Sequence, residues 1–290
     1  MPDELDRFRW TVPKAGFRWE TGRYFNAESR REDRFLIAAD VKGTYGLSRA
    51  YLPLLSAPGL FKIFGTDVEP TEQGVLRFAN EYGPLGGRSE STIVVNENKM
   101  LTGECLMAWR ADLITMRRLV ELWELIKQRD QSALSKFIRW RGRKMVQYLS
   151  HMGDKVDFTE FPESTVIASQ DHRPETFSRF IPGDFVEPAN WYLQSAINSR
   201  LELEGVYARL LWDRRREHLS VHIVPSCLSA CLWLQFAKAV EGDKAYRQCS
   251  NCLRWMEVGG SKAARKDKKS CSPSCRASAN RKKKEAVSFR

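Results

Sequence analysis

The chain has 290 residues, of which 42% are hydrophobic and 29% are charged, and its formal net charge is +11 at pH 7. This length and hydrophobic content are enough to bury a substantial core, and nine tryptophans with fifteen phenylalanines argue against a disordered chain. No stretch of about 18 uninterrupted apolar residues occurs, which argues against a membrane-spanning helix and for a soluble protein.

The first hundred residues are predicted to combine strands with one short helix. Residues 8–19 and 34–39 are rich in β-formers and favour strands. Residues 71–82 favour a helix, which Gly83 and Pro84 are expected to end.

Two consecutive helices are predicted in the middle of the chain. Apolar residues three or four positions apart favour a long helix over residues 104–129, with one side facing the core. A second helix is predicted to follow Asp130 and to reach His151. One side of it is basic, with Lys136, Arg139, Arg143 and Lys144. Together with Trp140 this side is a candidate nucleic-acid surface, although the solvated side of an amphipathic helix is the favoured interpretation.

The following segment is predicted to mix hairpins with helices. The predicted strands are residues 155–161, 164–169, 206–212 and 219–224, and the predicted helices are residues 188–204 and 226–240. The last of these helices is apolar almost all round, so we expect it to be buried. These elements indicate an α+β fold. A mixed, helix-rich body is expected over residues 1–244, with residue 100 as a candidate point of subdivision, followed by a small module over residues 245–290.

Four cysteines near the end of the chain have the spacing of a metal site. Cys249 and Cys252 form one short pair, and Cys271 and Cys275 form a second pair eighteen residues later. Two such pairs supply the four thiolates of a tetrahedral zinc site at little cost in chain closure. The second pair also begins a predicted helix, because Ser272 can cap it and Pro273 suits its first position. One pair in a turn and one at a helix start is the ligand layout of a treble-clef zinc finger, with one structural Zn²⁺.

Two disulfides are the alternative interpretation of these cysteines, and they require an oxidising compartment. The chain begins Met1-Pro-Asp-Glu-Leu-Asp, which is acidic and lacks the apolar run of a signal peptide. We therefore expect a cytoplasmic protein with reduced cysteines and favour the zinc site.

Most of the excess positive charge lies around the four cysteines. Residues 241–290 contain 14 Lys or Arg against 5 Asp or Glu, whereas residues 1–240 contain 33 against 31. The predicted nucleic-acid-binding residues are Lys262, Arg265, Lys266, Lys268 and Lys269 between the cysteine pairs and Arg276, Arg281, Lys282, Lys283 and Lys284 after them. Such a concentration on a metal-held module is typical of a polyanion binder, and DNA is favoured over RNA. The alternatives are a basic tail that only aids solubility and, less well supported, contact with an anionic membrane surface.

The C-terminal region resembles the CGNR zinc-finger family of bacterial proteins. The matching elements are the apolar helix at residues 226–240, the first cysteine pair, the turn Trp255-Met-Glu257 and the second pair at a helix start. The resemblance covers roughly the last 65 residues and implies a DNA-binding, stress-linked transcription regulator. The name-giving motif differs, because Arg276-Ala-Ser278 stands where the family has Gly-Asn-Arg. We therefore do not expect this chain to make the base or phosphate contacts that depend on the Gly-Asn-Arg motif in the family.

No complete catalytic motif is found in the sequence. His218 and His222 lie four positions apart on a predicted strand and are interpreted as surface histidines, while Cys105, Cys227 and Cys231 are interpreted as core residues. A dispersed magnesium site remains an alternative. Its candidate carboxylates are Asp154, Asp157, Glu160, Glu163, Asp171 and Glu175.

Three functions therefore stay open at the level of the sequence. The favoured hypothesis is a zinc-finger nucleic-acid-binding regulator, for which no enzymatic activity is expected and whose body supplies regulation, ligand sensing or dimerisation. The second is a metal-dependent nuclease or defence effector whose finger positions nucleic acid, and the third is a protein-interaction scaffold.

Overall fold

A computed structural model describes residues 8–25, 32–40, 48–96, 99–150, 164–213, 217–258 and 267–288. Within these residues the fold is α+β, as predicted, with small antiparallel sheets and helices of very different lengths. The chain forms two compact units, Met1–Met116 with Arg200–Arg290, and Arg117–Ser199. None of the described helices is long and apolar enough to cross a membrane.

A closed four-stranded barrel forms the N-terminal part of the first unit. The strands of this part are β1 (Trp10–Pro13), β2 (Phe17–Tyr24), β3 (Asp33–Ala38), β4 (Ser48–Tyr51), β5 (Glu90–Val95) and β6 (Lys99–Cys105). Strands β2, β3, β6 and β5 close the barrel in that order, and β1 pairs with β4. A Cβ on Gly103 would lie 3.0 Å from Ile37 and 3.2 Å from Phe35, so a larger residue there would require the barrel interior to shift.

The single strand predicted for residues 8–19 is two strands, so its predicted continuity is wrong. Gly16 has a φ of +72° and donates its N–H to the Pro13 carbonyl at 3.0 Å, which makes a turn between β1 and β2. A positive φ favours glycine, and the chain reverses at this point. The predicted strand at residues 34–39 corresponds closely to β3.

Short helical segments and one regular helix follow β4. The helices are α1 (Pro53–Ser56), α2 (Leu60–Lys62), which continues into a π-helical turn at Ile63–Asp67, and α3 (Glu72–Tyr82). Helix α3 is confirmed as predicted. The Thr71 hydroxyl caps it by accepting the Gly74 N–H at 3.1 Å, and Gly83 ends it with a φ of 98°.

The first of the two predicted middle helices is confirmed, and the second is wrong. Helix α4 (Leu106–Gln128) buries its predicted apolar side, including Trp109 and Leu113. Beyond it, helix α5 (Gln131–Leu134) lasts only one turn. It is followed by strands β7 (Ile138–Arg141) and β8 (Met145–Leu149), which pair with each other, and by β9 (Ser164–Ser169), which pairs with β8.

The basic side assigned to that second helix therefore does not exist. Gly142, with a φ of +60°, turns the chain between β7 and β8, and the basic residues lie exposed along and around this hairpin. The Trp140 indole, the candidate for base stacking, is half-buried, and its Nε1 donates to the Asp184 carbonyl at 2.8 Å. Residues 155–161, the predicted partner of β9, lie outside the described residues.

The rest of the chain contains the predicted helices and strands in their predicted order, together with one short helix and one pair of strands that were not predicted. The elements are α6 (Pro174–Arg179), α7 (Val186–Leu203), β10 (Val206–Asp213), β11 (His218–Pro225), α8 (Leu228–Glu241), β12 (Ala245–Gln248), β13 (Trp255–Val258) and α9 (Pro273–Ser288). Those not predicted are α6 and the β12–β13 hairpin. Helix α8 is buried over most of its length, as predicted. Its Gln235 side chain donates to the carbonyls of Pro53 and Ala57 and accepts the Phe61 N–H, which joins α8 to the segment of α1 and α2.

Candidate metal centre

The first cysteine pair lies in the turn of the hairpin formed by β12 and β13. Gln248 pairs with Trp255 at the end of this hairpin, and the chain between them carries Cys249 and Cys252. The turn is held by the Cys249 N–H, which donates to the Arg254 carbonyl at 2.9 Å, and by the Leu253 N–H, which donates to the Cys249 carbonyl at 2.9 Å. This tight turn directs both sulfur atoms to one side.

The second pair lies at the start of α9, as the sequence predicted. Cys271 precedes the helix, and Cys275 is in its first turn. The Ser272 hydroxyl accepts the Cys275 N–H at 3.1 Å, which caps the helix, and Pro273 is its first residue. The two pairs are joined by a hydrogen bond from the Ser250 N–H to the Lys269 carbonyl at 2.9 Å.

The structure brings the four cysteines together, so that their sulfur atoms all lie within 4.8 Å of one another. Cys271 Sγ lies 3.6 Å from Cys252 Sγ and 3.4 Å from Cys275 Sγ. In a tetrahedral site with Zn–S bonds of about 2.3 Å, neighbouring sulfurs lie about 3.8 Å apart. The four cysteines form no disulfide with one another. The distances between their sulfur atoms are close to those that one metal ion requires. Within the described residues this is the only group of three or more Cys, His, Asp or Glu that has such a geometry.

The electrostatics of the cluster favour a bound cation. Burial raises the pKa of the Cys249 thiol, but hydrogen bonds from the backbone N–H groups of Cys252, Asn251 and Cys271 outweigh this effect and lower the pKa to about 6. Burial and the neighbouring thiols instead raise the pKa of Cys271 to about 12. A second thiolate beside the first is opposed by repulsion, and a bound dication removes that opposition.

The cysteine module, which we define as residues 245–290, packs against the segment of α2 and the π-helical turn. The Trp255 indole Nε1 donates to the Asp67 carboxylate at 2.9 Å, and Lys62 Nζ lies 4.6 Å from the Trp255 ring centroid. Tyr246 meets Phe61 edge to face, with ring centroids 5.3 Å apart. A Cβ on Gly59 would lie 2.8 Å from the Trp255 Cβ, so glycine permits this close approach. The cysteine module therefore packs onto the α2 segment within the first unit.

The basic residues predicted to bind nucleic acid are only partly described. Lys269, Arg276, Arg281 and Lys282 are exposed, and Lys268 is half-buried. Lys283 and Lys284 belong to α9, but their side chains are outside the described part of the structure. Lys262, Arg265 and Lys266 lie outside the described residues. Arg276 directly follows Cys275, so its backbone position is held by the cluster.

The other candidate groups form no comparable site among the described residues. His222 is buried rather than at the surface as predicted, with its Nε2 2.6 Å from the Ser220 hydroxyl, while His218 is exposed. Cys105, Cys227 and Cys231 are buried, as predicted. Asp171 and Glu175 are exposed, and the remaining candidate carboxylates, Asp154, Asp157, Glu160 and Glu163, lie outside the described residues.

Sequence reasoning did not find the residues that dock the module. The short connection between α8 and β12 is consistent with a docked module, but no local pattern marks Gly59, Lys62 or Asp67 as contacts of Trp255. Comparisons of the chain with protein-family models, with curated proteins and with solved structures found no match.

Proposed function

We propose that residues 245–290 form a zinc-bound module that binds nucleic acid through phosphate contacts, and that the protein acts as a cytoplasmic transcription or stress regulator. The observation that supports this most strongly is the four-cysteine cluster at the start of the basic helix α9. Residues 1–244 serve as the body that carries the module and supplies its regulation.

A single structural Zn²⁺ is the ion that this donor set suits best. Four sulfur donors in a compact cluster favour zinc or an iron–sulfur centre, and two short pairs on a hairpin turn and a helix start are typical of structural zinc. Bound zinc would hold the turn of Cys249 and Cys252 against the first turn of α9, and thereby keep the basic helix in place.

Charge and shape support nucleic acid as the partner. The net charge of residues 241–290 is +9, which is nearly all of the excess in the chain. Helix α9 has 16 residues and is therefore about 24 Å long, with Arg276, Arg281 and Lys282 exposed along it. Exposed Lys and Arg on a rigid element attract phosphates and orient the protein on the duplex.

Duplex DNA suits such a helix better than duplex RNA. The major groove of B-DNA admits an α-helix, whereas the narrow major groove of A-form RNA does not. Arg276 is the residue most rigidly held beside the cluster, so it is the best candidate for a base contact, while Lys282, Lys283 and Lys284 are assigned to phosphates. The resemblance to the CGNR family points to the same partner and adds the proposed regulatory role.

The test is the salt dependence of binding to a mixed-sequence DNA duplex, measured by fluorescence anisotropy on the zinc-loaded full chain. Each phosphate contact contributes about −0.9 to the slope of log K against log salt. Neutralising the three lysines (Lys282→Gln, Lys283→Gln and Lys284→Gln) should weaken binding to all sequences alike and flatten the slope by up to about 3. Arg276→Gln should reduce the preference between sequences more than it changes the slope.

The matched control removes the same charge from the other unit, through Lys136→Gln, Arg143→Gln and Lys144→Gln. This triple variant should keep the affinity and the slope. If neutralising the α9 lysines left binding unchanged, the basic tail would serve only solubility. If both triple variants lost the same affinity, the effect would be one of overall charge. Either result would remove the support for the proposal.

A further inference from the structure

The hairpin of β10 and β11 has one face that is entirely apolar. Beyond the Val206–Pro225 pair at the start of the hairpin, the cross-strand register places three further apolar pairs on this face, which are Ala208 with Ile223, Leu210 with Val221, and Trp212 with Leu219. Side chains alternate between the faces of a strand, so these six residues share one face, and Arg209 and His222 lie on the other. We refer to this set of six residues as the ribbon face.

The ribbon face is exposed to an extent that is unusual for apolar residues. The exposed fractions are 60% for Leu210, 62% for Val221, 54% for Trp212, 56% for Leu219 and 47% for Ile223. On the opposite face His222 is only 3% exposed. With whole-residue areas of roughly 150–250 Å², these five residues present on the order of 500 Å², which is in the upper part of the range of the largest apolar patch on a monomer, a patch that is often functional.

The chemistry of the ribbon face argues against a charged partner. It contains no ionisable side chain, and most of the excess positive charge of the chain lies after residue 240. A polyanion would find no charged partner among these six residues. Two positively charged copies of the chain, in contrast, meet with least repulsion on a neutral surface.

The order of side chains along the ribbon is self-complementary. The smallest residue of the ribbon face, Ala208, lies at one end of this set, and the largest, Trp212, lies four residues away, about 13 Å along the strand. Consider a two-fold axis between two stacked ribbons, perpendicular to the strands and centred on the Leu210–Val221 pair. This axis places Trp212 of each copy over Ala208 of the other, and Leu219 over Ile223. The large side chain then meets the small one at both ends.

We propose that the ribbon face is the interface of a homodimer, in which two copies stack their β10–β11 hairpins around this axis. Closed two-fold pairing through one self-complementary patch is the commonest form of soluble assembly. Two patches of on the order of 500 Å² remove about 1,000 Å² from water, which reaches the lower limit of specific interfaces. This proposal is independent of the nucleic-acid function, because the ribbon face contains none of the module's residues.

The test is the mass of the full chain in solution, measured by sedimentation equilibrium from about 1 to 100 µM. The wild-type protein should dimerise within this range. Leu210→Glu should weaken the dimer at least about 30-fold, because the two-fold axis sets two carboxylates against each other in an apolar contact. Arg209→Glu, on the opposite face of the same strand, should stay within about 3-fold of the wild type.

Val221→Thr provides a variant for the case in which Leu210→Glu does not fold. It keeps the shape and the strand propensity of the side chain, and should weaken the dimer about 3- to 10-fold with unchanged circular dichroism. A wild-type protein that is monomeric at the highest concentration overturns the proposal, and co-flotation of that monomer with phosphatidylcholine vesicles would assign the face to a membrane. Dimerisation that survives both ribbon-face variants also overturns it.

Discussion

The indole Nε1 of Trp255 donates a hydrogen bond of 2.9 Å to the carboxylate of Asp67, which lies 188 positions earlier in the chain. Trp255 begins the strand that follows the first cysteine pair, and Asp67 ends the π-helical turn after α2. This contact links the cysteine module to the α2 segment of the same unit. It allows the coupling between the module and the body to be measured.

We expect a double-mutant cycle to detect that contact as a coupling energy. Trp255→Phe keeps an aromatic ring but removes the N–H donor, and Asp67→Ala removes the acceptor. Each change should lower the free energy of unfolding, and the double variant should lose less than the sum, with a coupling of about 0.5–1.5 kcal/mol. Urea unfolding of the zinc-loaded protein measures it, and additive losses would show that the hydrogen bond contributes nothing.

Loss of one cysteine ligand should unfold the module and leave the body folded. Cys275→Ala removes a thiolate from the cluster, and structural zinc contributes about 10–16 kcal/mol of apparent binding energy in small fingers. We expect metal analysis to fall from one zinc per chain to almost none, and limited proteolysis to cut only within residues 245–290. Cys231→Ala is the matched control, because this buried cysteine lies outside the cluster, and it should retain its zinc. Full zinc content in Cys275→Ala would contradict the assigned ligands.

Gln235 should be far more sensitive to substitution than an exposed glutamine. Gln235→Leu leaves the carbonyls of Pro53 and Ala57 and the N–H of Phe61 without their partner in a buried position. We expect it to lower the free energy of unfolding by about 2–4 kcal/mol in urea titrations. Gln147→Leu, which breaks only a contact with Arg141 at the surface, should change it by less than about 0.5 kcal/mol. Similar losses in both variants would argue against the role of Gln235.

The buried Glu104 carboxyl should make stability depend on pH. Burial raises its pKa from a usual value of 4.5 to about 7, although it accepts hydrogen bonds from the N–H groups of Leu85 and Gly86 and from the Trp109 indole. The folded state therefore binds the proton more tightly than the unfolded state. The contribution of this group to stability is fully present below about pH 4.5 and is lost as the pH rises through about 7.

The size of this effect follows from the shift in pKa. At about 1.4 kcal/mol per pKa unit, the loss amounts to about 3 kcal/mol between pH 4.5 and pH 8. Burial also raises the pKa of Asp112, to about 6, and this group acts in the same direction. The difference between the wild type and Glu104→Gln in urea titrations across this range isolates Glu104. A difference that does not vary with pH would show that its pKa is not raised.

The predictions from sequence succeeded where a local pattern decides the structure. Thr71 and Gly83 bound α3, and Ser272 and Pro273 begin α9, because a cap or a positive φ acts within a few residues. The cysteine pairs were also predicted correctly, because their short spacing keeps each pair together, one in a hairpin turn and the other at the start of α9. The hairpin of β10 and β11 was also found from its alternating pattern and its turn.

The second middle helix was predicted wrongly because its pattern is ambiguous. Leu134, Ile138, Met145 and Leu149 lie at intervals of four or seven, which suit a helix, but Ile138, Val146 and Tyr148 also fit the alternation of strands. Pairing of β8 with β9, together with the turn at Gly142, favours the strands. Such pairing is a long-range interaction, so the local pattern did not reveal it.

The sequence by itself determined the α+β class, the grouping of the four cysteines and the concentration of charge around them, since these follow from composition and from short spacings. Only the tertiary structure decided that Gly59 and Asp67 receive Trp255, and that the ribbon face remains exposed while α8 is buried. The physical reason is that burial and docking depend on which distant segments meet. Those meetings result from the packing of the whole chain rather than from the residues of any one element.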